Sequence, residues 1–494
     1  MISLFGKQRQ TGTRSLFPEI SEKAFALAVL LAYAPIVFLT SLRHEMWRDE
    51  VQAWVEAYRT GSLSELLTVL RLDGHFLFWH LCLRALSVFG HAPEIMQVFN
   101  FILAIAFIFL LAWKAPFSRL TRALLCFNYY FLYEYAVKPR PYLLGVFFLM
   151  LACIFYKKRR TKPVRLALAL VLAAFSTPLS LILAAGIAAA FFLGMLTDLR
   201  QKKILGALSL LTIGLLAVLY LGAPSHTSEW NRPWVLHLDL RLFARTLGLV
   251  QRSVSFSDLP AAAGCSISAV VLLVLLFFYR KFRPALTAFL ISVPGLFFLM
   301  YAVYSADPVR HYGFFFLTFL FCAWIYAASE PQRFRLNSRF CAPLISLLLL
   351  FQAWKGLEAA GSDILYPFSC AKETALYLKA HKLDSSLIAV ESDYYGGAAV
   401  AGYLQKEIYF PASGRFGYFV LSDGASHRLQ NKDMLVKNVR EKAASLKKEA
   451  VLLTDEPIDA QLQSRLGLEP LQNFTGALEK SEEFYIYRVL PRKN

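Results

Sequence analysis

The chain has 494 residues, of which 57% are hydrophobic and only 17% are charged. This composition excludes a protein built on one soluble core and predicts a polytopic membrane protein. The formal net charge of +18 would suit a nucleic-acid partner, but the basic residues stand in short clusters between apolar runs rather than on one soluble face. Membrane orientation explains that distribution better, so we expect no nucleic-acid binding.

The first apolar run covers residues 24–42, and it is preceded by four basic residues, Lys7, Arg9, Arg14 and Lys23. Signal peptides and signal anchors share this pattern. The run is long for a signal peptide and has no small-residue cleavage site, so it predicts an uncleaved first span. Its basic flank should stay in the cytoplasm, which places the chain from Arg43 onward on the outer side.

A charged stretch, residues 45–50 with the sequence EMWRDE, follows this span directly. Its four charges cannot enter hydrocarbon without a large penalty, so they should face water or a polar cavity at the membrane surface. A solvated loop, with Arg48 paired to Glu45 and Trp47 anchored at the interface, would explain the stretch equally well. The stretch is therefore a candidate functional site that depends on support from elsewhere in the chain.

The first external loop, residues 43–97, is amphipathic rather than uniformly apolar. Apolar residues recur at helical spacing over 51–58 and again over 63–70, and Gly61 separates the two runs. This pattern predicts two helices that lie in the plane of the membrane interface. A third segment, 75–89, is apolar but too short for a clean span, and we place it as a re-entrant or surface helix.

Ten further apolar runs are candidates for membrane spans. They cover residues 98–113, 120–136, 141–156, 166–177, 179–196, 204–222, 261–279, 285–304, 312–328 and 340–354. Clusters of basic residues fall in alternate connecting segments, and all of these are cytoplasmic if the amino terminus is cytoplasmic. We therefore predict about eleven spans in a mainly α-helical bundle, with the carboxyl terminus on the outer side.

The composition becomes more polar after residue 354. Residues 387–390 and 450–453 have the pattern of short buried strands, and they alternate with helical stretches at 371–381 and 432–447. This alternation predicts a small α/β domain. The predicted organisation is a transmembrane catalytic domain over residues 1–354 and an extracytoplasmic α/β domain over residues 355–494.

Two later external loops carry cations beside aromatic and acidic residues. The residues concerned are Glu134, Lys138, Arg140, Tyr142, Arg310 and His311. An ion pair one helical turn apart and side chains that reach lipid headgroups would explain the two loops separately. Their combination with the carboxylates of the first external loop, Asp49, Glu50 and Asp73, favours a functional site.

Both kinds of group are needed to remove a lipid phosphate from a sugar. A carboxylate can take the proton of the attacking hydroxyl, while Arg, Lys or His offsets the charge on the departing phosphate.

The order of these motifs resembles that of the GT-C glycosyltransferases, multispanning enzymes that use polyprenyl-phosphate sugars and include the protein mannosyltransferase and aminoarabinose transferase branches. The resemblance rests on Arg48-Asp49-Glu50 after the first span, the helical external loop, His75 at the start of a helix, Arg140-Pro141-Tyr142, Arg310-His311-Tyr312 and the soluble tail. The sequence departs from the family at Gly74-His75-Phe76, where many members have prolines after the histidine.

The resemblance implies a GT-C bundle with interfacial helices over a lipid-facing cavity. It implies that Asp49 is the catalytic base and that Glu50 orients or tunes it. Glu134 is similar in placement to a second acidic residue near the acceptor or a divalent metal, Mg²⁺ or Mn²⁺, and we group Asp73 and His75 with it. The groups expected at the donor phosphate are Lys138, Arg140, Tyr142, Arg310 and His311.

These observations predict an inner-membrane glycosyltransferase that moves a sugar from a polyprenyl-phosphate donor to a lipid, glycan or protein acceptor on the outer face. The alternative is a transporter or flippase of lipid-linked saccharides. A transporter should carry ionisable or helix-breaking positions near the middle of the bilayer, whereas here the charges gather at the ends of the spans. A non-catalytic membrane scaffold would leave Asp49 dispensable.

Overall fold

The computed structural model describes residues 21–228, 234–304, 308–338, 341–391, 396–421, 423 and 431–491. The membrane part begins with α1 (Glu22–Arg43), and three short helices follow it, α2 (Arg48–Arg59), α3 (Leu63–Asp73) and α4 (Leu77–Leu86). Next come α5 (Glu94–Lys114), α6 (Arg119–Cys126), α7 (Pro141–Tyr156), α8 (Pro163–Ala174), α9 (Pro178–Met195), α10 (Lys202–Leu221), α11 (Leu240–Ser255), α12 (Ala261–Tyr279), α13 (Arg283–Phe298), α14 (Val309–Ser329), α15 (Pro331–Ser338) and α16 (Ala342–Leu365).

In the described part of the chain, eight helical segments of 19 to 24 residues are long and apolar enough to cross a membrane. Two of them are α9 and α13, each taken together with the helical turn that follows it, and the others are α1, α5, α10, α12, α14 and α16. They correspond to eight of the eleven predicted spans. The predicted spans at 141–156 and 166–177 are the shorter helices α7 and α8. The multi-pass helical architecture predicted from composition is therefore confirmed.

The predicted span at 120–136 is not one α-helix, and in this respect the prediction is wrong. Helix α6 ends at Cys126, and a π-helical turn from Tyr130 to Glu134 follows. The Asn128 side chain accepts a hydrogen bond from the Phe131 N–H, so it takes a backbone donor that a continuous helix would use internally. Glu134 is buried in this turn.

The short helices α2, α3 and α4 occupy the first external loop where interfacial helices were predicted, and Gly61 lies between α2 and α3. Helix α3 ends at Gly74, which has a φ of 69° and so adopts the left-handed conformation that glycine tolerates best. The end of α3 at Gly74 determines the direction in which the chain continues to His75 and α4.

The tail forms an α/β unit, as the alternation of strands and helices predicts. Its elements are α17 (Ala371–Ala380), β1 (Leu387–Val390), α18 (Gly396–Leu404), β2 (Ile408–Phe410), β3 (Arg415–Gly417), α19 (Lys432–Leu446), β4 (Ala450–Thr454), α20 (Ala460–Leu466), β5 (Leu468–Phe474) and β6 (Phe484–Val489). The sheet order is β3-β2-β1-β4-β6-β5, in which β2, β1 and β4 are parallel and the other pairings are antiparallel.

The two faces of this sheet pack against different partners. Along β1, Ile388 and Val390 join the core that is continuous with the membrane part, whereas Leu387 and Ala389 join a smaller core with α19. Alternate residues of a strand point to opposite faces, so both faces of β1 are buried. Helix α18 then packs directly on α2, which places the tail at the end of the bundle where α1 and α16 both finish.

Candidate functional site

The start of α2 is held by its own acidic residue. The Glu50 carboxylate accepts a hydrogen bond from the Trp47 N–H at 3.1 Å, so it satisfies a backbone donor that the helix itself cannot. A negative charge in the first turn also suits the positive end of the helix dipole. Asp49 and Glu50 project from this first turn in different directions, and their surroundings differ accordingly.

Two arginines from distant parts of the chain meet at the Asp49 carboxylate. Arg140 Nη1 lies 2.5 Å from Asp49 Oδ2, and Arg310 Nη2 lies 3.3 Å from the same oxygen. Arg140 stands immediately before α7, whose first residue is Pro141, and Arg310 is the second residue of α14. The structure therefore brings together three residues that the sequence predicts for one site.

This environment fixes the charge of Asp49. Burial by itself would raise the pKa of the carboxyl group, but Arg140 and Arg310 outweigh it and hold the pKa well below the ordinary range. Asp49 is consequently ionised at every physiological pH. While both guanidinium groups contact it, the carboxylate is a weak proton acceptor.

Asp49, Arg140 and Arg310 are called the Asp49 cluster below. Tyr142 and His311 lie beside it and contact each other, since the Tyr142 hydroxyl is 3.0 Å from His311 Nε2. The His311 ring also lies close to Tyr304, with 4.8 Å between the ring centroids. Neither residue has a described hydrogen bond to Asp49. They line the same end of α7 and α14 as the two arginines.

Glu134 and Lys138 form a pair of their own. Lys138 Nζ donates to Glu134 Oε2 at 3.0 Å, and the Tyr129 hydroxyl donates to the same oxygen at 3.1 Å. Lys138 Nζ also lies 4.7 Å from the centre of the Phe368 ring. Of the residues predicted for the donor phosphate, Lys138 is therefore already neutralised by the carboxylate predicted for the acceptor.

Asp73 belongs to a second polar cluster behind α2, formed with Gln52, Glu56 and His80. Gln52 donates to Glu56 at 2.7 Å and to Asp73 at 3.1 Å, and His80 Nε2 lies 3.4 Å from Glu56 Oε2. Glu56 and Asp73 are also hydrogen-bonded to each other, and burial raises the pKa of Glu56. The hydrogen bonds with Asp73 and Gln52 act in the opposite direction and lower that pKa, but burial is the larger effect. Burial lowers the pKa of His80 to about 4, which keeps its ring neutral.

His75 lies beside the second polar cluster. Its ring lies 5.8 Å from the His80 ring, and its Nδ1 is 4.0 Å from Asp73 Oδ2. Its side chain is 42% exposed, in contrast to the buried His80. Of the residues predicted as acceptor or second acidic groups, Asp73 and His75 are thus neighbours, and Glu134 stands apart with Lys138.

These donors do not form a ready-made metal site. Within the described ranges, no three or more His, Cys, Asp or Glu side chains are arranged to hold a metal ion. The divalent metal implied by the family resemblance stays a prediction, and the steps below use only side chains of the chain itself.

A buried imidazole missed by the sequence analysis joins Glu50 to the last membrane helix. His44 Nδ1 lies 2.7 Å from Asp363 Oδ2, and His44 Nε2 lies 3.2 Å from Glu50 Oε2. Although burial would lower the pKa of His44, Asp363 and Glu50 raise it to about 10, so the ring is protonated. An ionisable residue such as Asp363 inside an apolar helix was the sequence signal that could have found this group.

The tail also contacts the charged stretch at residues 45–50. Glu482 is fully buried, accepts a hydrogen bond from the Ser369 hydroxyl at 2.7 Å, and lies 3.7 Å from Arg48 Nε. The Tyr403 hydroxyl accepts a hydrogen bond from the Met46 N–H at 3.1 Å. No local sequence pattern could indicate contacts that span more than 350 residues. The tail therefore supplies part of the surroundings of Asp49.

Among the solved structures that share this fold are two of ArnT from Cupriavidus metallidurans. The structure in the apo state matches with a TM-score of 0.52 and 12% sequence identity, over 95% of this chain and 99% of that chain. The structure bound to undecaprenyl phosphate matches with a TM-score of 0.51 and 13% identity, over 94% of this chain and 98% of that chain. The fold expected from the family resemblance is thereby confirmed as one that this chain shares with ArnT over nearly its whole length. No protein-family model and no curated protein matches the sequence.

Proposed function

We propose that this protein is an integral membrane glycosyltransferase that moves a sugar from a polyprenyl-phosphate donor to a lipid, glycan or protein acceptor. The observation that carries the proposal is the convergence of Arg140 and Arg310 on the Asp49 carboxylate. The shared fold adds support, because one of the two ArnT structures is bound to undecaprenyl phosphate.

Arg140 and Arg310 together offer more hydrogen-bond donors than one carboxylate needs, and this number suits a phosphate group. A guanidinium group is a planar fork whose parallel N–H donors match the oxygens of phosphate. Each of the two guanidinium groups contacts Asp49 Oδ2 through one nitrogen. A polyprenyl phosphate that enters would compete for Arg140 and Arg310, and each contact it takes from Asp49 would raise the basicity of that carboxylate.

The reaction then follows from the groups present. The acceptor hydroxyl attacks the anomeric carbon of the donor sugar, and the bond between that carbon and the phosphate oxygen breaks. The departing polyprenyl phosphate keeps the electron pair of this bond, and Arg140 and Arg310 offset its charge. Asp49 takes the proton of the attacking hydroxyl. Arg48 Nε lies 3.9 Å from Asp49 Oδ1 and 3.7 Å from the Glu482 carboxylate of the tail.

The arrangement also supports a location for the reaction. The Asp49 cluster, the ends of α1 and α16 and the tail all lie at one end of the bundle. The distribution of basic loops supports the proposal that this end faces the outer side of the inner membrane, with the amino terminus in the cytoplasm. A donor diffusing in the bilayer and an acceptor outside the membrane could both reach Asp49 there.

The test compares purified wild type with Asp49→Asn, which keeps the shape of the side chain and removes its basicity. The substrates are a panel of polyprenyl-phosphate sugars with a membrane lipid extract as acceptor, and the readout is released polyprenyl phosphate. Loss of a positioned base should lower the rate roughly 10²- to 10⁴-fold. Glu65→Gln, an exposed carboxylate of the same loop, is the matched control and should retain the wild-type rate.

Wild-type turnover by Asp49→Asn would contradict the proposal. Passage of the intact lipid-linked saccharide across a proteoliposome, with no release of polyprenyl phosphate, would instead support the transporter alternative.

A further inference from the structure

A buried bridge of three ionisable side chains lies next to the Asp49 cluster and has no contact with it. His44 stands between Glu50 and Asp363, and all three side chains are completely buried. The protonated imidazole contributes one positive charge against two carboxylates, so the bridge carries a net negative charge. Removing such charges from water costs several kcal/mol per ion, which only good geometry and further hydrogen bonds can offset.

The bridge joins three elements that are far apart in the chain. His44 is the residue at which α1 ends, Glu50 lies in the first turn of α2, and Asp363 lies near the end of α16. The backbone of His44 is itself fixed, because its N–H donates to the Thr40 carbonyl and its carbonyl accepts from the Gln97 side chain. The position of the imidazole is therefore set by α1 and α5 before it contacts either carboxylate.

The bridge affects Asp49 through Glu50. One oxygen of Glu50, Oε2, accepts from the Trp47 N–H and also faces His44 Nε2. Rotation of this carboxylate away from His44 would release the backbone at the start of α2. Asp49 is the residue before Glu50 in the same helical turn, so the direction of its carboxylate toward Arg140 depends on that backbone.

We propose that His44, anchored by Asp363, is a positioning residue that holds the first turn of α2 so that Asp49 stays aligned between Arg140 and Arg310. This inference rests on the proposed function, because it assigns His44 a role in the reaction of Asp49. The described contacts of His44 include none with Asp49, Arg140 or Arg310. Its contribution should therefore appear in turnover rather than in donor binding.

The experiment compares His44→Gln, Asp363→Asn and the double variant in purified full-length protein. Turnover is measured as release of polyprenyl phosphate, and donor-site integrity is measured as affinity for undecaprenyl phosphate itself. A displacement of about 1 Å at a catalytic group can lower the rate about 10²-fold, so His44→Gln should fall roughly 10- to 100-fold in kcat with unchanged affinity for undecaprenyl phosphate. His381→Gln, which changes an exposed histidine of the tail, is the matched control.

The double variant tests whether the effect of His44→Gln comes from the charges left in the bridge. His44→Gln leaves two buried carboxylates without a cation, whereas adding Asp363→Asn removes one of those charges. Part of the lost turnover should therefore return in the double variant, beyond what the two single variants predict by addition. If His44→Gln yields too little folded protein, Asp363→Asn is the milder variant and should lower kcat alone.

Wild-type turnover in both single variants would overturn the inference. A fall in turnover that only follows the amount of folded protein, with equal loss of undecaprenyl phosphate binding, would also overturn it. The proposed function fails separately, because it is contradicted if Asp49→Asn keeps its turnover or if the wild type releases no polyprenyl phosphate.

Discussion

Gly402→Ala should lower turnover although Gly402 lies in the tail and touches no predicted substrate group. A Cβ at this position would lie 2.2 Å from Val51 Cγ1 and 3.1 Å from Val55 Cγ2, both on α2. Val51 and Val55 are completely buried, and their branched side chains have few alternative rotamers. The added methyl group cannot be accommodated by a side-chain rotation, so α2 and α18 must move apart.

The size of the effect follows from this distance. Carbon atoms prefer to lie about 3.5 to 4.0 Å apart, so this contact must lengthen by roughly 1.5 Å as the two helices separate. Overpacking of this kind costs about 1–3 kcal/mol, and the better helix propensity of Ala offsets up to about 1 kcal/mol of it. A shift of about 1 Å at Asp49 is enough to lower the rate about 10²-fold, so turnover should fall far more than stability does.

The assay measures release of polyprenyl phosphate by variants matched for folded protein. Gly361→Ala is the control, because a Cβ there would meet no atom within 4 Å. Val51→Ala should restore room for the new methyl group, so Gly402→Ala combined with Val51→Ala should recover part of the lost turnover. Wild-type turnover in Gly402→Ala would refute the argument that the tail sets the position of α2.

Three further outcomes are expected. Arg140→Lys and Arg310→Lys should each weaken undecaprenyl phosphate binding in a direct binding assay, because an ammonium group cannot donate the parallel pair of hydrogen bonds; unchanged affinity would remove both residues from the donor site. Lys138→Met should destabilise the protein by about 3 kcal/mol in thermal unfolding, because it leaves Glu134 buried without its cation, and Lys138→Met with Glu134→Gln should recover most of that loss. Burial raises the pKa of Glu482 from an ordinary value of 4.5 to about 7, so the contribution of Glu482 to stability should be complete below pH 4.5 and should be lost, by up to about 3 kcal/mol, as pH rises through 7; Glu482→Gln should remove this contribution from unfolding curves measured from pH 4.5 to 8.

Hydropathy and periodicity predicted much of the fold because they report local preferences. The buried strands at 387–390 and 450–453 and the interfacial helices on either side of Gly61 are set by patterns within about ten residues. The break in the predicted span at 120–136 could not be predicted from hydropathy or periodicity. It depends on a side chain, that of Asn128, which competes with the backbone for a hydrogen bond.

A residue of the candidate site could be predicted from the sequence where its charge is unusual for its position in the chain. Charges at the ends of apolar runs indicated Asp49, Arg140 and Arg310, and the structure brings these three together. The pairing of charges could not be predicted, since Glu134 and Lys138 neutralise each other instead of joining that cluster. Their roles, like the division of the chain at residue 354, stay predictions.

The contribution of Glu482 could not be seen from the sequence at all. It lies 434 residues from Arg48, in a tail whose polar residues carry no motif. Contacts of this kind depend on how α18 and the sheet dock on α2, which is a property of the complete fold. The observation that α16 continues to Leu365, beyond the predicted end of the last span, has the same origin, because Asp363 is held there by His44.

Helices α12 and α14 differ sharply in what surrounds them. Only 11% of the apolar window of α12 is buried inside the protein, against 83% of that of α14. Lipid accepts almost any apolar side chain, whereas neighbouring helices accept only shapes that fit. Over evolutionary time, α12 should exchange its residues freely while α14 changes slowly, so a sequence search weighted toward α14 and the loop after α1 should find distant relatives that whole-chain searches miss.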